Sequence, residues 1–273
     1  MSTLGRRHLG DVVARGSRST LHAYGRGAVV KVPAPDDWMP EDWIEREARY
    51  AVAARAAGAP AARLLGLTTI HGRTASVWER IHGPTLWEQV IDRPERSTEV
   101  GHDLAELQLA LFELAAPIAL PSQADRLIGK IRAAAASVDP GLARAIDLIP
   151  ERSGRPRLCH GDLHPSNVIL SRNGPVIVDW YDASRGDAVA DVARTCLTLV
   201  GDGARHLPGW DGTILEWLTD AYLERLWEPL GLDDERLRIW QGINAVARMA
   251  EGLASRALFE AWERCAPVPA LQA

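Results

Sequence analysis

The sequence predicts an α+β chain in two parts: a small antiparallel sheet with one helix, then a larger, mainly helical body. Three observations predict it. Short apolar segments punctuated by glycine fill the first 80 residues. A Gly83-Pro84 break follows, and the pattern changes there. Beyond it, apolar residues recur at helical spacing, interrupted by a hairpin signal within residues 160–180. With 273 residues, 47% hydrophobic and 25% charged, the chain has an ordinary globular composition and can bury one large core or two smaller ones.

Residues 9–14, 19–24 and 28–32 read as strands of an antiparallel meander. Gly16, Ser17 and Ser19 lie in the turn between the first two, small enough for backbone N–H groups to approach phosphates. Pro33, Pro35 and Pro40 then break the chain. Residues 41–57 read as a helix with Ile44, Ala48, Ala51, Val52 and Arg55 on neighbouring positions, stopped by Gly58 and Pro60. Residues 64–68 and 75–78 read as two more strands, and residues 79–84 as a connector. Val100, Leu104, Leu107, Leu111 and Leu114 mark the core face of a following helix. Residues 124–138, 141–148, 189–199, 213–226 and 235–263 are further helices.

The most informative stretch is Leu158-Cys159-His160-Gly161-Asp162-Leu163-His164-Pro165-Ser166-Asn167, followed by Val168-Ile169-Leu170 and by Val176-Ile177-Val178-Asp179-Trp180. Two short apolar runs flank Asn173-Gly174, a strong hairpin signal. The hairpin would return the chain so that Asn167 and Asp179 lie near the same end. The pattern H-x-D-x-x-x-x-N with a second Asp after a hairpin suits phosphoryl transfer, which needs alignment and charge neutralisation more than covalent help. Asp162 is the candidate to accept a proton from an attacking hydroxyl. Asn167 and Asp179 offer hard oxygens for Mg²⁺, which keeps its waters and needs only one or two protein ligands.

Composition removes other classes. A net charge of −5 argues against nucleic acid as the main partner. Cys159, Cys196 and Cys265 have no metal-ligand spacing and fit a reduced, cytoplasmic setting. No apolar signal segment opens the chain, and no 18-residue apolar run suggests a membrane span. The chain has only two lysines, Lys31 and Lys130, among 31 basic residues. Lysine at position 31, within a strand of an otherwise arginine-using chain, suits a phosphate contact that needs a compact ammonium.

The chain resembles the aminoglycoside phosphotransferase family, grouped with choline kinase and the protein kinases in one kinase-like fold. The resemblance runs in order through the turn at residues 16–20, Lys31, Arg46-Glu47-Ala48, Trp78-Glu79-Arg80-Ile81-His82-Gly83, the His160 to Asn167 segment, Ile177-Val178-Asp179-Trp180, and Gly186-Asp187 to Asp191-Val192-Ala193. It implies a two-lobed protein-kinase-like fold, with residues 1–82 as an ATP-binding N-lobe and 83–273 as a C-lobe carrying the catalytic loop and substrate pocket. It implies that Lys31 contacts ATP phosphates and that Glu47, rather than the nearby Glu45, pairs with it. Glu79 to Ile81 would be a hinge meeting adenine. Asp162 would be the base, and Asn167 and Asp179 the metal ligands. His160 would brace the loop, and Asp191 would be structural, its carboxylate accepting loop N–H groups. Gln108 stands where the family leads one to expect a histidine.

The implied cofactors are ATP and Mg²⁺, and the partner is a small-molecule hydroxyl compound. Its class stays open between an aminoglycoside or related antibiotic, an amino alcohol and a sugar. Trp180, Asp182 and Glu251 are the substrate-site candidates. The alternative is a non-catalytic nucleotide-binding protein on the same fold. A protein kinase fits less well, because residues 180–186 leave little room for a peptide-binding activation loop.

Overall fold

The computed structural model describes residues 9–16, 18–34, 39–150, 154–201, 212–253 and 255–265. Strands β1 (Val12–Arg15), β2 (Ser19–Ala23), β3 (Ala28–Pro33), β4 (Leu64–Ile70) and β5 (Arg73–Glu79) form one antiparallel sheet in the order β1-β2-β3-β5-β4. Helix α1 (Trp43–Ala56) lies between β3 and β4 in sequence. Alternation along β3 assigns its side chains to two faces. Ala28 and Val30 join Ala75 and Val77 in one apolar cluster, whereas Val29 joins Trp78 and the α1 residues Ala48, Ala51 and Ala54 in the main core. Lys31 shares the face of Val29, so it is turned towards α1. The buried stripe of α1 is Trp43, Ile44, Glu47, Ala48, Ala51 and Ala54. Val52, expected on this face, is 48% exposed; the small alanines, not the β-branched residue, approach the sheet.

Helices dominate the rest: α2 (Leu86–Asp92), α3 (Ser97–Glu113), α4 (Gln123–Ser137), α5 (Ala188–Gly201), α6 (Thr213–Leu230), α7 (Asp234–Arg248) and α8 (Arg256–Cys265). A reciprocal capping box between Thr85 and Glu88 starts α2 immediately after the Gly83-Pro84 break. Two sequence expectations change. Residues 140–148 form a 3₁₀ helix rather than an α-helix. The long helix expected over 235–263 is two helices, because the π-type turn Met249–Leu253 contains Gly252 at φ 75°, a left-handed conformation that stops a helix.

Two short sheets carry the loops. In the hairpin, β7 (Val168–Ser171) pairs with β8 (Gly174–Ile177). Ser171 faces Gly174, so Arg172 and Asn173 form the tip and Gly174 opens the return strand, one residue off the expected Asn-Gly turn. Strand β6 (Arg157–Cys159) pairs with β9 (Ser184–Gly186), which joins the segments on either side of the hairpin. The hairpin also touches the N-terminal part: Ala61 bridges Ile177, whose N–H donates to the Pro60 carbonyl at 2.7 Å. Among the described residues, no helix is long and apolar enough to cross a membrane.

Candidate active site

The loop leaving β6 is held from below by one carboxylate. Asp191, in the first turn of α5, accepts from the His160 N–H at 3.1 Å, the Gly161 N–H at 2.7 Å and Gln108 Nε2 at 2.9 Å. Tyr222 Oη donates to Gln108 Oε1, so the glutamine is itself fixed. Burial pushes the Asp191 carboxyl up, and these donors oppose the shift. The His160 ring lies edge-on to Trp180, with centroids 4.7 Å apart. Its Nδ1 accepts from the Asp162 N–H at 3.3 Å, which assigns Nε2 as the donor to the Val178 carbonyl at 3.1 Å. Gly161 sits at φ 80°, and a Cβ there would lie 2.3 Å from the Asp182 carbonyl oxygen. The loop can make this approach only with glycine.

Asp162 projects from this braced loop. Its Oδ1 accepts from Arg194 Nη2 at 3.1 Å and from Thr198 Oγ1 at 3.5 Å; Arg248 Nη1 is 3.8 Å away, and His164 Nε2 is 3.9 Å from Oδ2. Burial would raise its pKa, but Arg194 above all, then His164 and Arg248, outweigh burial and hold it at about 2. The stability this gives is present above the usual aspartate value and lost as pH falls through about 2.

The hairpin ends bring the next two oxygens. Asn167 donates from Nδ2 to the Asp162 carbonyl at 2.9 Å, and its own carbonyl accepts from the Val178 N–H at 3.0 Å. The amide is thereby oriented, with Oδ1 as its remaining end. Asp179 adopts φ 64° and ψ 61°, a left-handed conformation that aspartate tolerates better than most residues. Its side chain is 42% exposed and its Oδ1 lies 3.4 Å from Lys31 Nζ.

Lys31 arrives from β3. Its Nζ donates to Glu47 Oε1 at 2.8 Å and Oε2 at 2.7 Å, with the two residues 9% and 3% exposed. Burial opposes the Lys31 charge, but Asp179 and Glu47 overcome it and hold the ammonium above its usual range. Lys31 thus reaches Asp179, whose neighbour Val178 is hydrogen-bonded to Asn167, and Asn167 is bonded in turn to the Asp162 carbonyl. The Asn167 and Asp179 oxygens suit a hard divalent cation completed by phosphate and water. Among the described residues no three His, Cys, Asp or Glu side chains form a metal cage.

Next to Gly161 and Arg194 lies an open pocket of about 380 Å³, solvent at its mouth included. Asp182 and Glu251 line it with Arg126, Lys130 and Arg194. Lys130 donates to Asp182 Oδ1 at 2.8 Å and Glu251 Oε1 at 2.7 Å. Arg126 also donates to Asp182, and Arg194 Nη2 lies 3.2 Å from Glu251 Oε2. Burial opposes ionisation of both carboxylates, but the cations win: Lys130, Arg126 and Arg194 hold Asp182 far down, and Arg194 and Lys130 hold Glu251 down.

Gly16 donates its N–H to the Ser19 carbonyl at 2.9 Å, closing the β1–β2 turn; Ser19 is buried at the start of β2, and Ser17 lies outside the described residues. Glu79 ends β5, its carboxylate accepting from the Arg63 N–H at 2.7 Å. Ile81 packs against the main core. Trp180 does not line the pocket. It is 1% exposed, its Nε1 donates to the Ile177 carbonyl at 3.0 Å, and it faces inward because the left-handed turn at Asp179 reverses the chain. Lys130, Arg126 and Arg194 are pocket residues that the sequence reading missed. For Lys130 a signal existed: it is the other of only two lysines. The arginines are hidden within a total of 29 of their type, the 31 basic residues less the two lysines.

The chain matches the profile of the phosphotransferase enzyme family over residues 15–267. No curated protein matches it in sequence. Among solved structures it is similar to an aminoglycoside-3'-phosphotransferase of type VIII, with 21% identity, TM-score 0.63, and coverage of 89% of this chain and 93% of that one. Aminoglycoside phosphotransferase APH(3'')-Id from Streptomyces rimosus gives 18% identity and TM-score 0.60, covering 86% and 91%. A choline/ethanolamine kinase family protein from Mesorhizobium loti gives 16% identity and TM-score 0.52, covering 96% and 86%. At these identities the likeness establishes the fold, and it is the kinase-like α+β class expected from the sequence.

Proposed function

The chain belongs to the phosphotransferase enzyme family and is a small-molecule kinase; from that premise we propose that it moves the γ-phosphoryl group of ATP to a hydroxyl of a small molecule held beside Asp162. The chain of contacts from Glu47 through Lys31 to Asp179, and from Asn167 to the Asp162 loop, supports this reading most directly. Lys31, fixed by Glu47, meets the phosphates as a compact cation. The turn at Gly16 and Ser19 would approach them through backbone N–H groups. The N–H groups of Glu79 and Arg80 already donate to the Arg63 and Gly27 carbonyls, so hinge contacts to adenine fall to the backbone nearer Ile81.

Asn167 and Asp179 would hold Mg²⁺, which when bound neutralises phosphate charge. The acceptor oxygen bonds to the γ-phosphorus as the bond from that phosphorus to the β–γ bridging oxygen breaks. ADP leaves with the electron pair. The hydroxyl proton passes to Asp162 and then to water. Arg194 is a positioning residue, since it holds both the Asp162 carboxylate and the Gly161 carbonyl, the latter at 3.1 Å.

Mg²⁺- and Asp162-dependent ADP release with a panel of hydroxyl compounds tests the proposal. ATP binding without turnover on any of them would favour a non-catalytic nucleotide-binding protein. Asp179→Ala should abolish the Mg²⁺ dependence of ATP binding in titration calorimetry; an unchanged dependence would remove Asp179 from the metal site. Arg194→Gln removes the main group lowering the Asp162 pKa. The acidic limb of the kcat/KM profile should therefore move to higher pH, whereas a uniform loss with an unmoved limb would reduce Arg194 to a packing role.

A further inference from the structure

We infer that the acceptor is a hydroxyl compound bearing an anionic group, a carboxylate or a phosphate, received by Lys130 and by the arginines gathered around Tyr181. The inference rests on the phosphotransfer reading of the same cleft and specifies its second substrate.

The first support is the state of the pocket carboxylates. A polycationic acceptor needs carboxylates it can pair with. Here Asp162, Asp182 and Glu251 are bound internally by Arg126, Lys130 and Arg194, with Arg248 close to Asp162. That is four cations against three anions. The Arg194 side chain is only 7% exposed, so it cannot swing into water to release a carboxylate. Displacing it would leave a buried guanidinium uncompensated, a costly arrangement.

The second support lies around Tyr181, the residue before the pocket carboxylate Asp182. The guanidinium carbons of Arg18, Arg46 and Arg126 lie 5.9, 5.7 and 5.6 Å from the centroid of the Tyr181 ring. Arg18 comes from the β1–β2 turn, Arg46 from α1 and Arg126 from α4, so cations from both parts of the fold converge on one aromatic ring. Like charges gathered this closely repel unless an anion separates them. Asp42 serves Arg46, at 2.9 Å, and Asp182 serves Arg126; Arg18 feels Asp179, Asp182, Glu251 and Asp162, each of which already pairs with another cation. Lys130 uses two of its three N–H groups on Asp182 and Glu251, which leaves the third for a ligand. An anionic substituent seated there would hold the rest of the acceptor beside Asp162.

Binding of four matched sugars to the full chain tests this without nucleotide: D-glucose, D-glucosamine, D-glucuronate and D-glucose 6-phosphate. At least one anion should bind about tenfold or more tighter than glucose and glucosamine, a difference of about 1.4 kcal/mol. Which anion binds identifies carboxylate or phosphate as the recognised group. Lys130→Gln should remove most of the preference; if that variant does not fold, Arg126→Gln serves the same comparison. Equal binding of all four, preference for glucosamine, no binding of either anion, or a preference untouched by the substitution overturns the inference. Asp162-dependent ADP release is scored separately. Turnover without anion preference overturns this inference alone, and anion preference without turnover overturns the phosphotransfer reading alone.

Discussion

Replacing Asp162 by asparagine lowers kcat by about 10²–10⁴-fold, the usual scale of a general base, while ATP affinity stays nearly unchanged. Asparagine has almost the same shape and can still accept from Thr198 and Arg194 through its amide oxygen. It cannot take up the acceptor's proton. The loop should survive, because its bracing comes from Asp191 and His160 rather than from the Asp162 side chain. Initial rates and nucleotide titrations on the same preparation make the separation. Near-normal kcat in a folded variant would end the assignment of Asp162 as base. A fall in ATP affinity matching the fall in kcat would make it a nucleotide-site residue instead.

The second large effect is expected at a residue that never touches substrate. Asp191→Ala leaves three donors without their acceptor, the buried His160 N–H and Gln108 Nε2 and the part-buried Gly161 N–H. Each orphaned donor costs about 1–3 kcal/mol, so the loss is at least about 3 kcal/mol. In a chain of this size each kcal/mol lowers Tm by about 2–4 °C. The catalytic loop should loosen with it, so activity falls at temperatures where the variant is still folded. Asp191→Asn retains one oxygen and should be milder. A thermal melt in which Asp191→Ala matches the parent chain would refute the role of that carboxylate as anchor.

Much of the fold was legible because its signals are local. Glycine-bounded apolar runs marked the five-stranded sheet, and leucines three and four apart marked α3. Lys31 could be singled out because lysine is rare here. Elements shaped by distant partners were not legible. The β6–β9 pair forms only because the hairpin between them closes, and three-residue strands have no pattern of their own. The break at Gly252 carries a glycine signal, but glycine is tolerated within helices, so only packing decides it. Trp180 stood next to a site residue and was read as facing substrate; the left-handed turn at Asp179 sends it into the core.

The sequence by itself singled out the residues proposed to carry the reaction, since Asp162, Asn167 and Asp179, with His160 bracing the loop, lie within 20 residues and a single hairpin relates them. Only the tertiary structure decided what surrounds Asp162. Arg126 and Lys130 on α4, Arg194 on α5 and Glu251 after α7 meet through helix packing, and no spacing in the chain encodes that meeting. A carboxylate reads the same in sequence whether it waits for a cationic ligand or is already paired. The difference is the identity of the charge a few ångströms away, and long-range packing sets it.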